Sequence, residues 1–156
     1  MRIADILSRD RVIAELDART RDEALERMVD VLVEHGPGGL DGERVLALLL
    51  QRERAGSTGI GNGIAIPHCK VPGITEPVAC FARSSAGVDF SSLDGRPAHL
   101  IMALFAPEGR ASLHLKALAR ASRLFQDASF RQRLLEDGDA DALWSAIVDK
   151  DGALGS

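Results

Sequence analysis

The sequence predicts an α/β (α+β) three-layer sandwich, a mixed parallel and antiparallel sheet flanked by helices on both faces. Three observations lead there. Segments with strand-like and helix-like apolar spacing follow in the order strand, two helices, several strands, helices, and a sheet covered on both sides buries them all. Residues 98–106 form a long apolar run closed by Pro107, the pattern of a central strand buried on both faces. Several strands follow one another too closely for crossover helices, so part of the pairing is antiparallel.

Residues 11–16 are a short apolar segment and make a first strand. Thr20 offers an N-cap and Glu23, three residues on, completes a capping box. Ala24, Leu25, Met28, Val29 and Leu32 then recur at helical spacing, and the Gly/Pro-rich stretch after His35 ends that helix. Asp41 caps a second helix carrying Val45, Leu46, Leu49 and Leu50, which runs to about Arg54 and stops at Gly56. Strands at 64–66 and 78–84, with a short one at 87–90, precede the central strand at 98–106. The helical period returns over 112–125 with Leu115, Leu118, Ala121 and Phe125, and two shorter helices fit 129–136 and 139–148. Residues 1–150 read as one domain and residues 151–156, polar and Gly-containing, as a flexible C-terminal tail.

Hydrophobic residues make up 46% of the 156-residue chain, enough for a sizeable core, while aromatics at 4% leave that core to Leu, Ile, Val and Ala. The net charge of −4 argues against nucleic-acid binding, which requires a basic surface. No apolar run approaches the roughly 20 residues that cross a bilayer, and the first residues lack the continuous apolar core of a secretion signal. The expected location is therefore cytoplasmic, without membrane insertion. Two cysteines, Cys69 and Cys80, are too few for a disulfide framework and read as reduced thiols.

Function is concentrated in residues 56–68, G-S-T-G-I-G-N-G-I-A-I-P-H. A glycine-dense turn leads into the apolar segment Ile64, Ala65, Ile66, and Pro67 stiffens the backbone before His68. Neutral imidazole carries one unprotonated nitrogen that can attack phosphorus, and the phosphoramidate formed keeps a high transfer potential. The alternative is a histidine that merely bonds its own loop. Amides between Gly56 and Gly63, including those of Gly59 and Gly61, are placed to bind phosphoryl oxygens as backbone nests do. Ser57 and Thr58 are candidates to orient the ring or an oxygen, or else are ordinary turn residues.

Two further residues belong to this hypothesis. His114 lies in the first turn of the predicted helix at 112–125, where the macrodipole disfavours imidazolium and attracts anions; pattern alone favours an exposed histidine without a role. Arg52, in the last turn before the glycine loop, has the forked donors that bridge phosphoryl oxygens, with Arg54 an equal candidate for compensating the helix dipole. Glu53 reads as solvated or paired with a neighbour, Asn62 as a turn former, His99 as a satisfied sheet histidine and His35 as a helix-terminal one. Lys116, Arg120 and Arg123 share one helix face, in the common case a solvated one.

Competing chemistries fail on sequence. A cysteine-phosphatase loop starting at Cys69 would need arginine where Thr75 stands. No paired ligand spacing of the zinc type is present. A Walker loop would end in Gly-Lys-Ser/Thr, and a dinucleotide loop would follow a strand and open a helix, whereas this loop follows a helix and opens a strand.

The 56–68 string closely resembles the active-site signature of the mannitol/fructose class of enzyme IIA domains of the bacterial phosphoenolpyruvate-dependent phosphotransferase system. Residues 98–107 with His114-Leu115, and Arg52-Glu53, are similar to further parts of that signature, and the resemblance spans about residues 3–148. It implies that His68 is phosphorylated on Nε2, that Arg52 and His114 are its active-site partners, and that no cofactor or metal is required. The implied donor is a small histidine phosphocarrier of nitrogen or sugar type. The implied acceptors are regulated target proteins or an enzyme IIB cysteine. Within the class the chain looks most like the nitrogen-regulatory branch; the alternatives are a sugar-specific enzyme IIA and a binding module that turns over no phosphate. Cys69 stands where many relatives have glycine, which raises the expectation of an oxidation-sensitive site.

Overall fold

The computed structural model describes residues 1–136 and 138–155. Six strands form one sheet: β1 (Val12–Ile13), β2 (Gly59–Gly61), β3 (Ile64–Ala65), β4 (His68–Val71), β5 (Val78–Val88) and β6 (Ala98–Pro107). Five helices surround it: α1 (Arg21–His35), α2 (Gly42–Ala55), α3 (Ala111–Leu124), α4 (Ala128–Glu136) and α5 (Ala140–Ala153). Two 3-10 turns, Ile3–Asp5 and Arg9–Arg11, precede β1.

The central strand is β6, as its unbroken apolar run requires. On one side it pairs antiparallel with β5, which in turn pairs parallel with β1. On the other side it pairs parallel with both β3 and β4, and β2 closes that side antiparallel to β3. The sheet is therefore mixed. Ile101, Ala103 and Phe105 of β6 join the core under α1 and α2, whereas Leu100, Met102 and Leu104 join the core under α3, α4 and α5. This alternation is the two-residue period of an extended chain with a hydrophobic layer on each face. Each fully buried Leu, Ile or Phe contributes about 1.5–3 kcal/mol over its exposed state, which makes β6 the main anchor of both layers.

The helix caps follow the sequence signals. The Thr20 hydroxyl accepts from Glu23 N at 3.1 Å and the Asp41 carboxylate from Arg44 N at 3.3 Å. Glu23 reaches back to the amide of Arg19, one residue before the cap, at 3.3 Å.

Several elements differ from expectation, among them β2, which lies in the stretch expected to be a turn. The strand expected at 11–16 is short, β1, because Arg9–Arg11 is a 3-10 turn. The strand at 87–90 is instead the end of β5, whose register against β6 shifts between Arg83 and Val88. Residues 68–71, unassigned from the sequence, form β4. The last helix continues to Ala153, so residues 151–153 are not the loose tail that their polarity suggested. Asp151 is buried and ion-paired to Arg120 at 2.7 Å. Ser156, the end of that expected tail, lies outside the described residues. The same pair corrects the reading of Arg120 as part of a solvated face, since its guanidinium is buried against α5.

Candidate functional site

His68 opens β4 and pairs with Leu104 of β6. The register explains why it is held there. Ile64 and Ala65 pair with Leu100 and Ile101, and His68 and Cys69 with Leu104 and Phe105, so β3 and β4 are one lane with unchanged register. The break between them falls at Ile66 and Pro67. Proline has no N–H to give to a ladder, but its carbonyl still accepts from Leu104 N at 2.9 Å. The chain therefore stays pinned to the central strand on both sides of the break, and His68 emerges at a fixed position.

Its ring is oriented by the same segment. Nδ1 of His68 lies 2.7 Å from the carbonyl oxygen of Ile66. A carbonyl only accepts, so Nδ1 carries the proton and Nε2 keeps its lone pair. Burial lowers the pKa of His68 and the positive charge of Arg52 lowers it further, against the opposing effects of the Ile66 bond and Glu53. The ring is thus neutral near pH 7.

The structure brings the two other sequence-predicted partners to this ring. His114, in the first turn of α3, lies with its ring centroid 5.3 Å from that of His68, the planes tilted by 51°. Its pKa is lowered by burial first, then by His68, Lys70 and Arg52. Its Nδ1 is buried without a hydrogen-bond partner among the described residues. Arg52, in the last turn of α2, donates from Nη1 to the Gly56 carbonyl at 2.8 Å, while Arg54 turns away to Asp22 at 3.7 Å. Arg52, His68 and His114 line one open cavity of about 550 Å³, together with Leu48, Gln51, Lys70 and Glu108.

The glycine loop is used differently from expectation. Asn62 and Gly63, with φ of 57° and 75°, form the two-residue turn of a hairpin between β2 and β3. Both positions lie in the left-handed region that type I′ turns require, and Asn-Gly is its preferred sequence. Gly59 is needed for close approach, because a Cβ there would lie 2.1 Å from Ser92 Oγ. The loop amides are already taken: that of Gly56 by Glu53 O, Thr58 by Glu53 Oε1, Gly59 by Ser57 Oγ and Asn62 by Asp94. The Thr58 hydroxyl donates to Glu53 Oε2 at 2.6 Å and that of Ser57 to the Phe90 carbonyl. Ser57, Thr58, Gly59 and Gly61 do not line the cavity. The polar atoms of Ser57, Thr58 and Gly59 thus serve the hairpin and its junction with α2, which favours a supporting role over direct phosphoryl binding.

Glu53 is the residue that the sequence reading undervalued. It is buried, accepts from both the amide and the hydroxyl of Thr58, and faces Arg21 at 3.9 Å. It locks the end of α2 to the start of the hairpin, and so holds Arg52 beside β4. The signal was present in the spacing, a carboxylate followed by Thr58 just past a helix-ending glycine. Lys70 was also legible, since it shares the His68 face of an extended strand two residues on.

The remaining candidates are structural. His99 Nδ1 bonds the Ser84 carbonyl at 2.8 Å, as a satisfied sheet histidine does. His35 ends α1 within 3.7 Å of Asp10 and Glu34. Both cysteines are free and buried, and burial pushes each thiol up to about 12. A thiol so held is mostly protonated, which argues against an oxidation-sensitive Cys69 even though that residue lines the cavity.

A nitrogen regulatory protein of Bradyrhizobium diazoefficiens is 37% identical to this chain over 148 residues, 95% of each chain. A fructose-specific EIIABC component of the phosphotransferase system from Bacillus subtilis is 38% identical over 151 residues; the match covers 97% of this chain and 24% of that longer protein. The crystal structure of the nitrogen regulatory protein IIA-Ntr from Neisseria meningitidis superposes with a TM-score of 0.85 at 28% identity, over 93% of this chain and 98% of that one. Residues 5–150 match the family described as phosphoenolpyruvate-dependent sugar phosphotransferase system, EIIA 2, and the chain belongs to that family.

Proposed function

We propose that the protein is a phosphoryl carrier of the nitrogen-regulatory kind, which takes a phosphoryl group on Nε2 of His68 from a small histidine phosphocarrier and regulates partner proteins by its phosphorylation state. The observation that carries this reading is the single open cavity in which a neutral His68, with Nδ1 committed to Ile66, meets His114 at 5.3 Å and the guanidinium-bearing Arg52. The Nε2 lone pair forms the new N–P bond as the donor's N–P bond breaks, and the electron pair of that bond returns to the donor nitrogen. Arg52 and His114 offset the charge on the transferring oxygens, so the protein contributes position and electrostatics. Neither metal nor cofactor enters this step. Half-buried Leu48 lines the cavity, and exposed Leu115 follows His114 in the chain, apolar groups suited to a transient protein partner.

The similarity to a nitrogen regulatory protein along nearly its whole length supports the regulatory reading. The equal similarity to one part of a fructose-specific protein supports a second reading, in which His68 passes its phosphate to an enzyme IIB cysteine during sugar uptake. Reconstitution with phosphoenolpyruvate, enzyme I and the small carrier tests the shared chemistry. The expected product is an acid-labile, alkali-stable label that His68→Ala abolishes and that His114→Ala permits at a reduced rate. Full labelling of His68→Ala refutes the assignment. Onward transfer to an enzyme IIB cysteine decides for the sugar reading.

A further inference from the structure

A second cavity, of about 370 Å³, opens at the other end of the β3–β4 lane, lined by Asn62, Gly63, Arg96, Pro97, His99, Leu100, Arg131 and Leu135. His68 pairs with Leu104 and this cavity reaches Leu100, about 13 Å back along β6 at the rise of an extended chain. Among the described residues none of its lining is acidic, and two are arginines. Arg131 is fixed by donation from Nη1 to the carbonyls of Phe125 and Gln126 at 2.8 and 3.1 Å. Its Nε and Nη2, and the guanidinium of Arg96, have no hydrogen-bond or ion-pair partner among the described residues. The nearby carboxylate of Asp94 accepts from the amides of Asn62 and Arg96 at 3.0 and 3.1 Å. His99 presents its second ring nitrogen, since Nδ1 is bonded to Ser84.

Two guanidinium groups on one concavity favour an anion even though Asp94 already gives Arg96 a partial countercharge, and their forked donors match planar oxyanions. Pro97, Leu100 and Leu135 supply an apolar wall, the combination of a few convergent polar groups and apolar lining that small-molecule sites share. We propose that this cavity binds a small organic oxyanion, a carboxylate or phosphate ester, with its charged head between Arg96 and Arg131 and its body against Pro97 and Leu135. The site is separate from His68 and stands whether or not His68 carries phosphate.

Backbone amide NMR titrations of the full chain with succinate and, separately, with glycerol 2-phosphate test it, with choline and glycerol as controls. The expected result is saturable shifts at Gly63, His99 and Leu100 with a Kd of about 1 mM or tighter for at least one anion, and none for the controls. The stronger of the two anions identifies the head group. Arg96→Gln, at an exposed position where the amide bond to Asp94 is kept, and Arg131→Gln are each expected to weaken binding about tenfold or more. His68→Ala leaves it unchanged. The proposal is overturned by shifts confined to Arg52, His68, Lys70 and His114, by the absence of saturation at about 10 mM, or by an unchanged Kd in Arg96→Gln.

Discussion

Replacing Asp151 with alanine tests how the chain's last helix is held. The Asp151 carboxylate is 1% exposed and its partner Arg120 6%. Arg120 donates to Asp151 from Nε to Oδ1 at 2.7 Å and from Nη2 to the main-chain oxygen at 2.7 Å, and Oδ2 of Asp151 accepts from the amide of Ala4 at 3.1 Å. One carboxylate thus ties α3, the end of α5 and the first 3-10 turn together. Asp151→Ala removes these bonds and leaves a buried guanidinium with its countercharge gone, a change that costs about 3–5 kcal/mol. That is a large part of the roughly 5–15 kcal/mol that separates a folded domain of this size from its unfolded chain. At about 2–4 °C per kcal/mol the melting temperature falls by about 6–20 °C. Urea unfolding followed by circular dichroism and by fluorescence of the half-buried Trp144, which lies on α5 itself, measures the loss directly. The double variant Arg120→Leu/Asp151→Leu is expected to recover most of the stability, since removing both charges leaves neither stranded. A loss under about 1 kcal/mol in Asp151→Ala, the range of an exposed ion pair, refutes the reasoning.

Four more outcomes follow from the site. The initial rate of labelling is level above about pH 6.5 and falls only below it, because burial and then Arg52 lower the pKa of His68; a rate that declines already between pH 8 and 7 contradicts this. Stability follows the same sign. His68 and His114 hold a proton less readily folded than unfolded, so between the ordinary value of 6.5 and the lower folded values the unfolded chain binds more protons. Acidification through that window therefore destabilises the native state, and a variant lacking both imidazoles shows a shallower loss in urea midpoint between pH 7.5 and 5. Glu53→Gln costs about 1–3 kcal/mol through Thr58 and slows transfer without abolishing label, because it loosens the support of Arg52; an unchanged rate would show that Arg52 needs no such support. Native protein at pH 8 resists iodoacetamide at Cys69 and Cys80 while the urea-unfolded chain takes up two equivalents, and stoichiometric alkylation of the folded form would contradict the buried thiols.

The legible parts of this protein were those with a local cause. The capped helices at Thr20 and Asp41, the apolar run of β6 and the Pro67–His68 step each follow from residues adjacent in the chain. Other errors had non-local causes. Strand β4 carries His, Cys, Lys and Val, a pattern with no strong strand signal, and exists because Pro67 keeps the chain in register with β6. The glycine loop was read as an anion nest because hydrogen-bond partners such as Asp94 and Phe90 lie about thirty residues away. The Asn62-Gly63 dipeptide would have exposed the hairpin. Residues 151–153 looked loose because the Arg120 that buries Asp151 belongs to another helix.

By itself the sequence determined the layers, the proline-held His68 and the residue types around it, since periodicity, caps and a proline before a histidine act over a few bonds. Only the tertiary structure decided that His114 and Arg52 converge on His68, that Arg54 does not, and which nitrogen is free. Those outcomes depend on how α2 and α3 dock at the edge of the sheet, a matter of packing between segments far apart in the chain.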